Sequence, residues 1–467
     1  MQIHNSLVKS KQEFVPLTDG KVKIYNCGPT VYNYATIGNF RAFMLADLLR
    51  RHFLYKGFEV TQVMNLTDVG HMTSDADEGE DKLEKSAREQ KKDPWQIAEF
   101  YTQVFFEDID SLRIARADHY PKATEHIPEM IELIQKLLDH GHAYISGNNI
   151  YYDLSTFPEY GQLSGNTIDR LRAGARVEVN PEKKGPFDFG LWKSDPKHIM
   201  QWDSPWGRGF PGWHIECSAM SMKYLGNTLD IHTGGEDNIF PHHECEIAQS
   251  EGATGEKFVR YWMHARFLLV DGRKMSKSLG NFYTLRDLQQ KGHDSLAIRY
   301  LLLSNNYRQP LNFTFEAVRG AGEAVRRIKD FTLRLAEAQG EGTSPKVADS
   351  IDKAKTAFEA GLDDDLNMSV ALGAVFEFMH GINKLNPSKQ DAQAVRSAMM
   401  NFNRVLGVIE LEEDQGLEEE VERLIEQRRA AREAKDFEKA DAIRKALLAR
   451  GIILEDTPQG VRWKKST

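Results

Sequence analysis

Cysteine is scarce in this chain: Cys27, Cys217 and Cys245 are the only three in 467 residues. So small and odd a number excludes a disulfide framework and leaves metal ligation, catalysis or plain burial as uses for a thiol. Long apolar runs are missing too. No stretch of about eighteen apolar residues occurs, so no membrane-spanning helix is expected. The opening "MQIHNSLVKSKQEF" lacks the apolar core of a secretory signal, and the expected location is the cytoplasm. Positive charge is also short, and a net charge of -9 argues against a protein that coats nucleic acid non-specifically. What remains is an ordinary globular composition, 28% charged and 41% hydrophobic, in a chain long enough for several domains.

Charge is unevenly placed. From Glu412 to Gln427 there are eight acidic residues and one arginine, whereas from Arg428 to Thr467 there are eleven Lys or Arg against six Asp or Glu. An acidic connector is therefore expected to lead into a basic terminal module where a polyanion can dock.

The first third alternates short β-type and helical patterns. "VKIYNCG" reads as a strand, "NFRAFMLADLLRRHFLYKG" as a helix ending at Gly57, and "EVTQVMNLTDVG" as a strand with its exit loop. That order implies a parallel sheet with Cys27, Thr67 and Asp68 on its carboxyl rim. From about Tyr120 to Pro205 the pattern is irregular and reads as an insertion. The α/β signal returns at "GWHIECSAMSMKYLGNTLDIHTGG", and beyond about Asn312 the spacing is helical. The tail "REAKDFEKADAIRKALLARG" reads as a helix closing at Gly451, followed by a hairpin in "IILEDTPQGVRWKK".

The most specific string is "DGRKMSKSLGN". Lys274 and Lys277 with two small hydroxyl residues, in a loop between a strand-like and a helix-like segment, suit a polyphosphate whose charge is matched in the transition state. Upstream, Thr36, Ile37, Gly38 and Asn39 form "TIGN", which looks like a nucleotide-binding quartet without its leading histidine. Gly38 admits a close backbone approach, and the start of the helix offers free N–H groups to phosphate.

KMSKS paired with a HIGH-type quartet is the signature of class I aminoacyl-tRNA synthetases. The words "CGPTVY", "YGQLSG", "SPWG", "GWHIECSAM", "PHHECE" and "DTPQGVRW" resemble the cysteinyl-tRNA synthetase family, from about Tyr25 to the C-terminus. The resemblance implies a reaction in which L-cysteine and ATP give cysteinyl-adenylate, and the amino acid then passes to the terminal adenosine of tRNA(Cys). It implies an α/β fold: a Rossmann-like catalytic domain in two halves, 1–119 and 206–265, split by an insertion at 120–205 of connective-peptide type. A KMSKS and stem-contact region at 266–311, an α-helical bundle at 312–410 and a small α+β anticodon-binding module at 411–467 complete it.

By the same resemblance, one Zn2+ per chain sits in the amino-acid pocket on Cys27, Cys217, His242 and Glu246. The residues themselves leave a second set open, with Cys245 replacing Glu246, because both share a helix face with His242. The carboxylate better suits a coordination sphere that must stay open, since a three-cysteine, one-histidine set usually closes a structural site. Serine differs from cysteine by one atom, too little for pocket shape alone, but zinc strongly prefers a thiolate to a hydroxyl. Trp213, Thr67, His232 and Asp237 are the expected contacts of the substrate cysteine.

ATP, with Mg2+, is expected on Thr36, Ile37, Gly38, Asn39, Lys274, Met275, Ser276, Lys277 and Ser278. Thr36 and Asn39 stand where the family has histidines. Neither can be cationic, so charge stabilisation shifts to Lys277, Lys274 and magnesium, while Thr36 also suits a helix N-cap. Arg462 and Trp463 are the expected anticodon contacts, with the indole stacking on an unpaired base. A monomer is expected. Two rivals stand beside this reading: a cysteine ligase for an amino-sugar acceptor, and a non-catalytic tRNA-binding paralogue.

Overall fold

The computed structural model describes residues 1–72, 79–174, 180–276, 279–409, 415–433, 436–449, 452–457 and 460–465. The chain forms two compact units, Met1–Ile409 and Glu410–Thr467.

At the centre of the first unit lies a parallel sheet of β1 (Lys21–Asn26), β2 (Glu59–Met64), β3 (Leu229–Gly235) and β4 (Val259–Ala265), in the order β4-β3-β1-β2. The strands are rich in β-branched and aromatic residues and run through several buried positions in succession, as strands covered on both faces do. β1 pairs with β2 on one side and β3 on the other, so the order reverses there. The crevice at such a reversal, outside the carboxyl ends of the strands, is where an open α/β sheet binds its ligand. Cys27 follows β1 directly, and its N–H donates to the Thr233 carbonyl at 3.0 Å.

Helix α1 (Ile37–Tyr55) begins within the TIGN quartet, and the chain turns back at Gly57, whose φ of +89° is a left-handed conformation that glycine adopts without strain. Its Asp47 lies 2.6 Å from Arg299 in the helix Ser295–Ser304, with both side chains fully buried. The Arg299 guanidinium also donates to the carbonyls of Leu406, Leu112 and Arg113, which compensates the burial of its charge.

Between the two halves of the parallel sheet, Ala143–Ser146, Asn149–Tyr152, Phe189–Lys193 and Phe210–Pro211 form an antiparallel sheet. It hands the chain to helix α2 (Trp213–Leu225) through Gly212. A Cβ there would fall 2.1 Å from the Gly190 carbonyl, so only glycine fits. Helix α3 (His242–Thr254) packs beside α2. Beyond residue 312 the helices Phe315–Arg334, Pro345–Asp363, Met368–Leu385 and Lys389–Leu406 supply the expected bundle.

In the second unit the acidic stretch is helical over Gln415–Glu433. The reason is apolar. Leu424 and Ile425 pack with Ile443 of the helix Phe437–Ala449 against Leu447, Ile452 and Leu454, a small core that needs a helical first segment. The expected hairpin is present, Ile452–Thr457 against Gly460–Lys465, with Leu454 opposite Trp463 and Glu455 opposite Arg462. Among the described residues no helix is long and apolar enough to cross a membrane.

Candidate active site

Three elements bring four donors together at the crevice. The end of β1 carries Cys27, α2 carries Cys217, and the start of α3 carries His242 and Glu246. Their ligand atoms all lie within 4.8 Å of one another. Cys245 is elsewhere, buried with its Sγ 3.6 Å from the Tyr160 hydroxyl. Helical geometry separates the two candidates: at about 100° per residue, position i+3 falls about 60° to one side of His242 and i+4 about 40° to the other. Only the second side faces Cys27 and Cys217.

The charges inside this group are mutually supporting. Burial raises the Cys27 thiol above its usual range, and its hydrogen bond with Cys27 together with burial raises Cys217 further. Burial opposes a charged His242, but Cys217 and Glu246 push it up to about 10. Burial also opposes a charged Glu246, yet His232 and His242 hold it down to about 2. His232 Nε2 stands 3.0 Å from Glu246 Oε2, fixing the carboxylate. The other oxygen, Oε1, wholly buried, lies 3.1 Å from His242 Nε2. Two thiols, an imidazole and a buried carboxylate so placed are a donor set for a tetrahedral, zinc-like cation.

Behind it stands a histidine relay that sequence reasoning missed. His243 Nε2 is 3.2 Å from Cys27 Sγ, His243 Nδ1 is 2.8 Å from His264 Nε2, and His264 Nδ1 is 2.7 Å from Ser6 Oγ. Burial, reinforced by neighbouring imidazoles, keeps His243 and His264 neutral. The doublet "PHH" was the available signal for His243; nothing local marked His264 or Ser6.

In front, Trp213 stacks on His242 with ring centroids 4.2 Å apart and on His71 at 3.9 Å. His71 Nδ1 is 2.6 Å from the Thr30 hydroxyl, and its Nε2 is 2.5 Å from Lys82 Nζ. An ammonium only donates, so Nε2 accepts and Nδ1 carries the ring proton toward Thr30. Thr30, His71 and Lys82 were not anticipated either.

These side chains open on a cavity of about 570 Å³ bordered on its far side by the TIGN quartet and the KMSKS segment. Thr36 is the N-cap of α1 and forms a reciprocal capping box with Asn39: the Asn39 N–H donates to Thr36 Oγ1 at 3.2 Å, and Thr36 N–H and hydroxyl both donate to Asn39 Oδ1. The capping box does not use Asn39 Nδ2, and Asn39 borders the cavity. The quartet is stitched to the segment after KMSKS, since Ile37 N–H donates to the Tyr283 carbonyl and Thr36 bridges to Thr284. Lys274 and Met275 border the cavity, and Ser276 N–H is held by Asn281 Oδ1 at 2.8 Å. Lys277 and Ser278 lie outside the described residues.

Of the expected amino-acid contacts, Trp213 and Asp237 border the cavity. Thr67 and His232 do not: Thr67 accepts from Asn65 Nδ2 beneath the rim, and His232 acts through Glu246. Ile37 is buried in the core. Arg462 and Trp463 lie on the terminal strand of the second unit.

The family described as the class I (C) tRNA synthetase catalytic domain matches residues 13–323. A DALR domain matches 357–410, and the cysteinyl-tRNA ligase anticodon-binding domain matches 414–463. The cysteine-tRNA ligase of Thermus thermophilus is 44% identical, covering 99% of this chain and 98% of that protein. The cysteine-tRNA ligase of Pelotomaculum thermopropionicum is 45% identical over the whole of both chains. Among solved structures, Mycobacterium tuberculosis methionyl-tRNA synthetase in complex with methionyl-adenylate superposes with a TM-score of 0.59 at 16% identity, covering 83% of this chain and 90% of that one.

Proposed function

This chain belongs to the cysteine-tRNA ligase family of class I synthetases, and we propose that it selects L-cysteine through zinc held by Cys27, Cys217, His242 and Glu246. The carrying observation is that the ligand atoms of these four residues lie within 4.8 Å of one another beside the cavity that TIGN and KMSKS border, with Cys27 and His242 lining it. When bound there, zinc would supply a soft Lewis acid that favours a substrate thiolate over the hydroxyl of serine.

The chain's own groups do the rest. Trp213 walls the amino-acid end, and Asp237 provides a carboxylate for the substrate ammonium. Thr67 and His232 support that pocket from behind, Thr67 through the rim and His232 by holding Glu246. At the nucleotide end Gly38 lets ATP approach the backbone at the positive end of α1, where the Ile37 and Asn39 N–H groups are already taken by the Tyr283 carbonyl and Thr36 Oγ1. Asn39, Lys274 and Lys277 stabilise the charge that develops as the substrate carboxylate attacks the α-phosphate and pyrophosphate leaves, and Mg2+ bound with the ATP would supply further positive charge there. Thr36 contributes by fixing the helix start, and Met275, Ser276 and Ser278 shape the loop. No protein nucleophile is required.

We assign residues 1–119 and 206–265 to catalysis, 120–205 to the insertion, 266–311 to the KMSKS and stem-contact region, 312–410 to the bundle and 411–467 to anticodon reading. Arg462 and Trp463 serve that last role, and the working form is a cytoplasmic monomer. Cysteine-dependent exchange of pyrophosphate into ATP by zinc-loaded protein tests the activation half-reaction; no exchange rejects it. Charging of tRNA(Cys) then tests the transfer, and exchange without charging would favour the amino-sugar ligase instead.

A further inference from the structure

Cys27 and Glu246 are shared by a second group of donors. Cys27, His232, His243 and Glu246 also place their ligand atoms within 4.8 Å of one another. Cys27 Sγ is 3.2 Å from His243 Nε2, His232 Nε2 is 3.0 Å from Glu246 Oε2, and His243 Nε2 is 3.9 Å from Glu246 Oε1. The group lies deeper than the first. Cys27 and His242 of the first group border the cavity, whereas His232 and His243 are fully buried and do not.

One thiol, two imidazoles and a carboxylate are a complete tetrahedral set for a zinc-like cation. A ligating imidazole also needs its second nitrogen held by an outer partner. His243 has one: its Nδ1 meets His264, which meets Ser6. His232 is less well supplied, because its Nδ1 is buried with no partner among the described residues. Coordination through Nε2 would leave a proton there unsatisfied.

We propose that the chain holds a second, deeper position for a soft divalent cation, built from Cys27, His232, His243 and Glu246. The two positions share two ligands, so one ion occupies one or the other. The deep position is set back from the cavity, since His232 and His243 do not line it, and an ion there is out of a substrate thiol's reach. The unsupported His232 nitrogen makes it the weaker position, by roughly 10- to 100-fold in affinity. It retains the ion when Cys217 or His242 cannot bind it.

The proposal rests on the cavity-facing metal reading only for the competing position, and cobalt spectroscopy separates the two. Co2+ is titrated into metal-free, full-length protein, where the sulfur-to-cobalt charge-transfer band counts thiolates. The unsubstituted chain is expected to bind one ion with a two-thiolate band. A Cys217→Ser/His242→Ala variant is expected to bind one ion roughly 10- to 100-fold more weakly, with a four-coordinate, one-thiolate spectrum. Adding His243→Ala to it should abolish binding, whereas His243→Ala alone should leave the two-thiolate band intact. A double variant with unchanged near-ultraviolet dichroism that binds no cobalt overturns the deep position, as does binding indifferent to His243→Ala. Should the double variant not fold, Cys217→Ser with and without His243→Ala makes the same comparison. An unsubstituted chain that binds no cobalt at all overturns both readings; one with the two-thiolate band beside an inert double variant overturns the deep position alone.

Discussion

Gly38 and Met275 face each other closely on the cavity wall: a Cβ placed on Gly38 would lie 2.9 Å from Met275 Cε. The first turn of α1 and the KMSKS segment thus leave no room for a further methyl group between them, although they are far apart in sequence. The contact is with the tip of a flexible side chain, so it yields to pressure at low cost but not without moving the loop.

Gly38→Ala should therefore fold normally and be impaired in ATP use. We expect the KM for ATP in pyrophosphate exchange to rise about 3- to 10-fold, roughly 1 kcal/mol, with thermal stability within about 0.5 kcal/mol of the parent. An unchanged KM would show that the KMSKS loop is not seated against α1 during activation.

Thr36→His restores the family's histidine at the expense of a helix cap. The Thr36 hydroxyl is already committed to Asn39, so the substitution should lower stability by about 1 kcal/mol without a gain in exchange rate. Asn39→Ala should slow exchange more than it destabilises the fold, because it removes an amide that borders the cavity. A large rate gain in Thr36→His would show that the threonine is a defect.

Glu246→Ala and Cys245→Ala should part company. Glu246 belongs to both donor groups, and its loss should weaken zinc binding by at least about 100-fold, read by competition with a chromogenic chelator. Cys245→Ala should leave one zinc per chain and cost about 1 to 2 kcal/mol of stability through a lost buried thiol. The reverse order would move the fourth ligand to Cys245.

Asp363 gives a pH signature. Its hydrogen bond from His52, at 3.1 Å, and that from Lys56, at 2.9 Å, outweigh burial and hold the carboxyl down to about 2. A depressed pKa contributes stability above the unfolded value, near 4, that is lost as pH falls toward 2. With the side chain 31% exposed, solvent screening reduces this to about 1 kcal/mol. The urea midpoints of the parent and Asp363→Asn should differ above about pH 5 and converge by about pH 2; a constant difference would refute the linkage.

Arg299→Met should cost about 3 to 5 kcal/mol, because Asp47 would keep a buried charge facing only Arg51 and the Ala115 N–H. Arg299→Met with Asp47→Asn should recover part of the loss in a denaturation series.

Much of this architecture was legible because it is local. Alternating apolar strands and the periodic helices name themselves, and threonine with asparagine three residues later announces a capping box. The basic tail announced its hairpin, but the charges of the acidic stretch did not announce that Leu424 and Ile425 had a core to join.

The sequence by itself determined the family, the class I fold and the residue types able to hold a thiophilic metal, because ordered motifs and periodicity are properties of neighbouring residues. Only the tertiary structure set the Glu246 carboxylate, and not the Cys245 thiol, beside Cys27 and Cys217, kept Thr67 and His232 off the cavity lining and joined Ser6, His264 and His243 into a relay. Those choices depend on which helix face turns toward Cys27 and Cys217, and on strands brought side by side from distant parts of the chain. No local pattern carries that information, since packing sets it.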